Sequence, residues 1–427
     1  MNRTDFTLDQ WLAWMEKSHP VAIDLGLERV NQVYLRLNLD FSATRVITVA
    51  GTNGKGSTVC MLESIYRCAG YSTACYTSPH LQIYNERVLI NGQLSTDTQL
   101  VEAFRAVDQA REGVSLSYFE MGTLAALWLV AKQQPQVAIL EVGLGGRLDA
   151  VNVVDADVAV ITTIGIDHVD WLGDNREKIG SEKAGIFRQG RPAVCGELDP
   201  PATIAAYAEK IGAPLWQQNQ QFSFEIVDNK WHWQGLDAQG ELVAFTQLPL
   251  PALPLQNAST ALQAIVLNDL PCDIHSIRNG LSKARVAGRM DRKQLAGCSV
   301  ILDVAHNPQS AQYLADQLVK LQLHKVSLVL GMLADKDCSS VVAALKPVIH
   351  HWHLVSLDVF RGQSSAQLSK SLLQQGIAET DICCYDSVAQ ALESLKGTVD
   401  RDSDTLVIAG SFYTVGDAYE YLAQEEK

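Results

Sequence analysis

The sequence predicts an α/β protein: a P-loop-type, mostly parallel sheet domain with a small antiparallel insert, plus a second, smaller doubly wound α/β domain. Three observations predict it. Short apolar, β-branched runs alternate with amphipathic stretches along most of the chain, the pattern of strands joined by crossover helices. The run 45–50 feeds a glycine-rich turn, GTNGKGS at 51–57, that opens a helical stretch. One segment, 215–250, breaks the rhythm with alternating aromatic residues (FSFEIVDNKWHWQG), as a small antiparallel unit would.

Taken in order, the N-terminus carries acids early and has no apolar signal core. Asp24, in IDLGLERV, precedes a helical stretch and is a candidate helix cap. Strands are expected at 45–50, 72–77, 136–142, 157–163 and 191–196, each nearly continuous in apolar residues, as strands covered on both faces are. A helix over 57–69 closes at Gly70. Ser117 and Glu120, in SYFE, have capping-box spacing before an apolar helix around 121–131 that is too short to span a bilayer. A proline-rich crossing, 248–259, leads into another helix. The polar, basic stretch near 284–297 marks a boundary, giving a domain 1–285, a linker 286–297 and a C-terminal domain 298–427. The second domain is expected to place strands at 299–304, 325–331, 351–357, 380–385 and 405–410. HHWH at 350–353 looks like a metal motif, but strand alternation splits its side chains between faces, so a structural role is expected.

Composition narrows the function. A chain of 427 residues exceeds one ordinary core. The net charge of −14 argues against a general nucleic-acid binder, yet one loop and one lysine can hold an anion locally. Nine cysteines without a C-x-x-C pair suit free thiols in a reducing cytoplasm. A monomer with no nucleic-acid or membrane partner is expected.

In open α/β sheets ligands sit beyond the carboxyl ends of the strands. There the sequence places Thr52, Asn53, Gly54, Lys55, Gly56 and Ser57 after the first strand, then Ser78-Pro79-His80, then Glu141 with GLGGR, then Asp167-His168, and in the second domain His306-Asn307. The loop departs from G-x-x-x-x-G-K-[ST]: Val49 stands where a glycine is required, and the hydroxyl arrives only at Ser57. Glycines still let backbone N–H groups turn inward, the helix N-terminus adds partial positive charge, Lys55 suits outer phosphates and Ser57 suits Mg²⁺. Each residue also has a plain reading. The loop is then an ordinary turn, Ser78-Pro79 a strand end, Glu141 a solvated strand terminus, His168 a surface histidine and Lys183 a solvated helix lysine.

Together AGTNGKGS (50–57), TSPHL (77–81), NERV (85–88), LEVGLGGRLDA (140–150), IDHVDWLG (166–173), EKAGIF (182–187), DVAHNP (303–308) and GSFYTV (410–415) resemble the folylpolyglutamate synthase family of the Mur ligase superfamily, over nearly the whole chain. DLGLERV and SYFE most resemble its bacterial bifunctional dihydrofolate synthase/folylpolyglutamate synthases. The resemblance implies ATP-dependent addition of L-glutamate to dihydropteroate and to reduced folates through an acyl phosphate. By the same resemblance, Thr52 to Ser57 with Asn257, Arg289 and Asp303 bind the nucleotide. Asp24, Leu25, Gly26, Ser117, Tyr118, Phe119, Glu120, Leu148, Asp149 and Ala150 bind the pterin substrate. Ser78 and Glu141, with Ser57 as a helper, hold one Mg²⁺; His168 and a carbamylated Lys183 hold a second. Lys55, Lys183, His168 and His306 make up the catalytic set. Val151 and Ala287 depart from the family, which often has threonine and proline there. Two alternatives stand beside this reading: a Mur-type ligase acting on a cell-wall precursor, and a non-enzymatic nucleotide switch, though no N-K-x-D guanine motif is present.

Overall fold

The computed structural model describes Arg3 and residues 5–21, 24–323, 325–359, 361–397 and 404–425. The chain divides into two compact units, Met1–His80 with Tyr84–Arg285, and Leu81–Ile83 with Val286–Lys427.

The first unit is built on eight strands: β1 (Arg45–Ala50), β2 (Thr73–Tyr76), β3 (Val88–Ile90), β4 (Gln93–Leu94), β5 (Val137–Glu141), β6 (Val158–Ile161), β7 (Ala193–Cys195) and β8 (Leu215–Gln217). Their order is β4-β3-β2-β5-β1-β6-β7-β8. From β2 to β8 the pairs are parallel, and β3 and β4 add an antiparallel edge. The parallel strands β1, β5 and β6 are mostly apolar, and all but Arg45 of their residues are buried, because helices cover both faces. One core packs Trp11 of the helix Leu8–Met15 and Phe104 against the helix Tyr118–Gln133; another packs Ile161, Ile179 and Phe187 farther along the same face, since Val46, Ala138, Ala50 and Ile161 share one strand parity. Since β1 lies between β5 and β6, the loops after β1, β5, β2 and β6 open at one sheet edge.

The antiparallel insert is narrower than expected. It holds β9 (Phe222–Val227), β10 (Lys230–Leu236) and β11 (Leu242–Leu248), in the order β11-β10-β9. Asp228 and Asn229 both take positive φ, 50° and 58°, the two-residue turn that matches strand twist. Residues 215–217, expected in the insert, are instead the last strand of the large sheet, parallel to β7. The aromatic alternation that marks the insert begins only at Phe222.

The second unit carries β12 (Asp291–Leu295), β13 (Cys298–Leu302), β14 (Lys325–Leu330), β15 (His351–Val355), β16 (Ile382–Tyr385) and β17 (Asp404–Ala409), ordered β12-β13-β17-β14-β15-β16. All pairs are parallel except β12 with β13. The stretch 286–297, expected as a linker, thus contains an edge strand. Ala296 and Gly297, with φ of 50° and 90°, close a tight hairpin that a polar sequence without Asn-Gly conceals. HHWH is structural, as expected: Trp352 and His353 are buried on β15, and the His353 ring lies 3.3 Å from the Tyr385 hydroxyl. Among the described residues no helix is long and apolar enough to cross a membrane.

Candidate active site

The helix expected from 57 starts earlier, as Lys55–Cys68, because Gly54 takes a left-handed φ of 84° and ends the loop there. Lys55, Gly56 and Ser57 therefore form its first turn. No side chain caps this end and no acid lies in its first turn. Its leading N–H groups have no partner within the helix, which suits an anion. Gly54 is required twice over, since a Cβ there would also meet the Asn257 amide at 2.5 Å. Asn257 is buried on the helix Leu255–Val266. The loop is rigid: the Thr52 and Asn53 N–H groups donate to the Thr163 carbonyl and hydroxyl, at 2.8 and 3.0 Å, and the Thr162 hydroxyl donates to the Asn53 carbonyl at 2.6 Å. Lys55 is half-buried, its Nζ donating to the Gly51 and Thr52 carbonyls at 3.1 and 3.3 Å. Ser57 is buried.

Glu141 ends β5 buried at 5% exposure, which removes the solvated-terminus reading. It accepts from the Ser78 N–H at 3.2 Å and lies beside the first turn of the loop helix, where a Cβ on Gly56 would stand 3.8 Å from its Oε2. Lys183 is no helix-surface lysine. It is 3% exposed near the end of the helix Arg176–Ala184. Burial, with the charge of Lys55, pulls its amine down to about 7, against the opposing charges of Asp167 and Asp149. Gly146 permits that close packing, since a Cβ there would come within 2.9 Å of the Lys183 carbonyl. His168 is one-third exposed, takes a left-handed φ of 52°, and has its Nε2 4.0 Å from Asp167 Oδ2. Asp149 accepts from the Leu144 and Val151 N–H groups, at 2.8 and 2.9 Å. Burial nevertheless pushes its carboxyl up to about 6.

A cavity of about 280 Å³ opens here. Its walls are the three stretches 24–26, 117–120 and 148–150, together with Ser78 and His168. The capping-box reading of SYFE also holds: Ser117 caps the helix Tyr118–Gln133 and Glu120 closes the box. Asp24 does not cap. The helix Glu28–Leu37 begins at Leu27 without a side-chain bond, and Asp24 instead pairs with Arg29 at 2.8 Å.

Sequence reasoning missed two features of this cavity. Arg87, inside the quoted NERV, is a buried wall residue whose guanidinium lies over the Tyr84 and Tyr118 rings, at 5.1 and 5.6 Å. Its Nε–H donates to Nδ1 of His80 at 2.9 Å, and burial together with the arginine charge pulls that imidazole down to about 4. The other missed feature is the ion-pair set around Asp24, which joins residues far apart in sequence.

Arg289, Asp303 and His306 belong to the second unit. Asp303 is buried and accepts from the Met290 and Ala305 N–H groups, both at 2.9 Å. Burial pushes its carboxyl up, opposed by Arg289. The Arg289 guanidinium lies 5.6 Å from the Phe412 ring, and His306 Nδ1–H donates to the Val304 carbonyl at 2.8 Å.

Comparison with known proteins agrees with this geometry. Residues 49–221 match the Mur ligase middle domain, and residues 288–412 match the Mur ligase glutamate ligase domain. The dihydrofolate synthase/folylpolyglutamate synthase of Escherichia coli K12 is 44% identical over 97% of this chain and 95% of its own length. A structure of E. coli FolC in complex with DHPP and ADP superposes with a TM-score of 0.94 at 42% identity, covering 100% of both chains. The Yersinia pestis bifunctional folylpolyglutamate synthase/dihydrofolate synthase, complexed with AMPPNP and Mn, superposes at 0.92 with 42% identity, covering 99% of this chain and 100% of that one. The chain belongs to the dihydrofolate synthase/folylpolyglutamate synthase family of Mur ligases.

Proposed function

We propose that this chain is a bifunctional ATP-dependent ligase that adds L-glutamate to dihydropteroate and to reduced folates. One observation carries the reading. Ser78 lines the cavity, while its own N–H holds Glu141 beside the first turn of the phosphate-loop helix. A substrate lying in the cavity thus reaches the place where a nucleotide on the loop would present its terminal phosphate.

A carboxylate oxygen of the substrate attacks the γ-phosphorus, and ADP leaves. The amine of glutamate then attacks the acyl carbon, losing its proton as phosphate departs. Lys55 and the amides of residues 54–57 stabilise charge on the transferring phosphoryl group. Asn257, Arg289 and Asp303 serve as nucleotide contacts, and His306 helps place glutamate or nucleotide. The stretches 24–26, 117–120 and 148–150 take the pterin.

The donors fit a divalent cation: the Ser78 hydroxyl and the His168 imidazole on the cavity wall, and the Glu141 carboxylate held by the Ser78 N–H beside the first turn of the loop helix. Ser78 and Glu141, with Ser57, would hold one Mg²⁺, and His168 and Lys183 a second; bound there, the ions neutralise phosphate charge. Lys183 serves as a carbamate. A protonated amine would repel a cation, but a buried amine brought to about 7 is substantially neutral at physiological pH and adds CO₂ with loss of one proton. Nine free thiols support a cytoplasmic location, and we place the chain there as a monomer.

The test is ATP hydrolysis with dihydropteroate, tetrahydrofolate or a muramyl substrate, each with and without glutamate. Phosphate release that requires glutamate and either pterin is expected. Release with the muramyl substrate alone, or slow turnover indifferent to glutamate, overturns the reading.

A further inference from the structure

We propose that Arg29 is the positioning residue of the cavity wall: it clamps Asp24 and Glu120 into one rigid edge and so sets affinity for the flat heteroaromatic end of the substrate, not the rate of bond formation. The inference rests on the reading above, in which this cavity takes the pterin.

Arg29 is the second residue of the helix Glu28–Leu37. Its Nη1 lies 2.8 Å from Asp24 Oδ2, and its Nη2 donates to Glu120 Oε1 at 2.7 Å. Both carboxylates line the cavity, and the guanidinium joins them from outside that lining. The remaining contacts complete a bracket. Glu120 Oε2 accepts the Ser117 N–H at 2.7 Å, so both oxygens of this carboxylate are engaged. Asp24 Oδ2 also meets His19 Nε2 at 3.2 Å, and His19 Nδ1 lies 2.7 Å from the Ser115 hydroxyl. Among the described residues Asp24 Oδ1 makes no bond, and it is the oxygen left to accept a ring N–H.

Among the described residues, little else holds the stretch 24–26. Asp24 is not a helix cap, and a Cβ built on Gly26 would meet nothing within 4 Å. Fixing this edge therefore falls to the ion pairs. A guanidinium suits the task because its planar fork serves two carboxylates at once, whereas an ammonium is a single point charge. Without it, two like charges share one wall, and Glu120, with a side chain only 4% exposed, keeps a single amide as partner. The incoming ring must then order the edge itself, and that cost appears in binding.

The test measures dihydropteroate binding to the nucleotide-free chain by quenching of intrinsic fluorescence, together with kcat and KM. Arg29→Ala is expected to raise the Kd and KM for dihydropteroate about tenfold, the scale of one ordered polar contact. The kcat, and the KM for ATP, should stay within about twofold. Arg29→Lys should fall between, holding one carboxylate but not both. To separate positioning from folding, Arg29→Gln is also made on a Glu120→Gln background, where glutamine still closes the helix cap and no buried charge is stranded. A further rise in Kd over Glu120→Gln alone supports the clamp. Folded variants that bind as the parent does, or that lose kcat at constant KM, overturn it. A parent chain that does not bind dihydropteroate overturns the functional reading, and this inference with it.

Discussion

Two helices of the first unit begin at the candidate site and treat their N-termini in opposite ways. Lys55–Cys68 starts from a left-handed glycine with no side-chain cap and no acid in its first turn. Tyr118–Gln133 starts from Ser117 with a complete capping box. Position N3 is Ser57 in one and Glu120 in the other. The first helix leaves its amides and partial positive charge for an anion from outside. The second closes its own end: the Ser117 hydroxyl accepts the Glu120 N–H, and the Glu120 carboxylate accepts the Ser117 N–H and pairs with Arg29. One local device thus leaves a helix end open to an anion where the cap is withheld and closes it where the cap is supplied.

The largest effect comes from breaking the open end. Lys55→Ala removes the full charge from that end but no packing of the core. Ligation should fall roughly a hundredfold or more, the scale of losing one transition-state charge contact. The melting temperature should stay close to the parent's, because the two carbonyls Lys55 binds belong to a loop also held by Thr162 and Thr163. Near-normal ligation by folded Lys55→Ala would make the two helix ends equivalent and remove the contrast.

Next in size is Lys183. Lys183→Ala should lose most activity, and a small carboxylic acid in solution should restore part of it by occupying the vacated oxygen positions. Lys183→Arg should not be rescued, since guanidinium keeps its charge and fills the space. The amine also predicts a stability profile. With its pKa lowered to about 7 from an ordinary 10.5, the folded chain releases this proton before the unfolded chain does. Between those values the unfolded state binds more protons, so stability rises with pH; below about 7 both states are protonated and the penalty is constant. In metal-free, CO₂-purged buffer, Lys183→Met should flatten that rise relative to the parent. An unchanged slope from pH 7 to 10 returns Lys183 to an ordinary solvated lysine.

These two residues also mark how far the sequence could be read. The loop and its strand were legible because continuous apolar runs and glycine spacing are local signals. The double burial of Glu141 and Lys183 was not, since base rates for strand-end acids and helix lysines favour solvent. β12 went unread because its turn is Ala296-Gly297, a dipeptide without the Asn or Asp that usually announces a tight hairpin. The Asp24 network was out of reach for another reason: Arg29 and Glu120 stand 91 positions apart, and no periodicity links such pairs. Arg87 stood in a quoted motif, but only the fold brings it against the Tyr84 and Tyr118 rings.

A smaller effect sharpens the wall side of the comparison. Asp24→Ala should reduce dihydropteroate ligation more than tetrahydrofolate ligation, since Asp24 is expected to line a pterin site used in the synthase step. The ratio of the two activities is the measurement. Because Asp24 caps no helix, the melting temperature should change little. Equal small losses in both activities, with a lowered melting temperature, would make Asp24 a purely structural partner of Arg29.

The smallest effect is expected at Ser117, the cap itself. Ser117→Ala deletes the hydroxyl that accepts the Glu120 N–H at 3.3 Å, a long bond and therefore a weak one. It leaves the other half of the box, because the Glu120 carboxylate binds the backbone N–H of residue 117 and not its side chain. Glu120 also keeps Arg29. The loss should therefore lie at the low end for N-cap substitutions, about 0.5–1 kcal/mol. In a unit of this size that lowers the melting temperature by about 2 °C. The KM for dihydropteroate should rise less than in Arg29→Ala, since the hydroxyl holds an amide of the wall while the guanidinium holds two of its carboxylates. Calorimetry and steady-state kinetics on the two variants decide the order. If Ser117→Ala raises the KM more than Arg29→Ala does, the hydroxyl contacts the substrate directly, and the closed helix end is a binding group and not merely a wall.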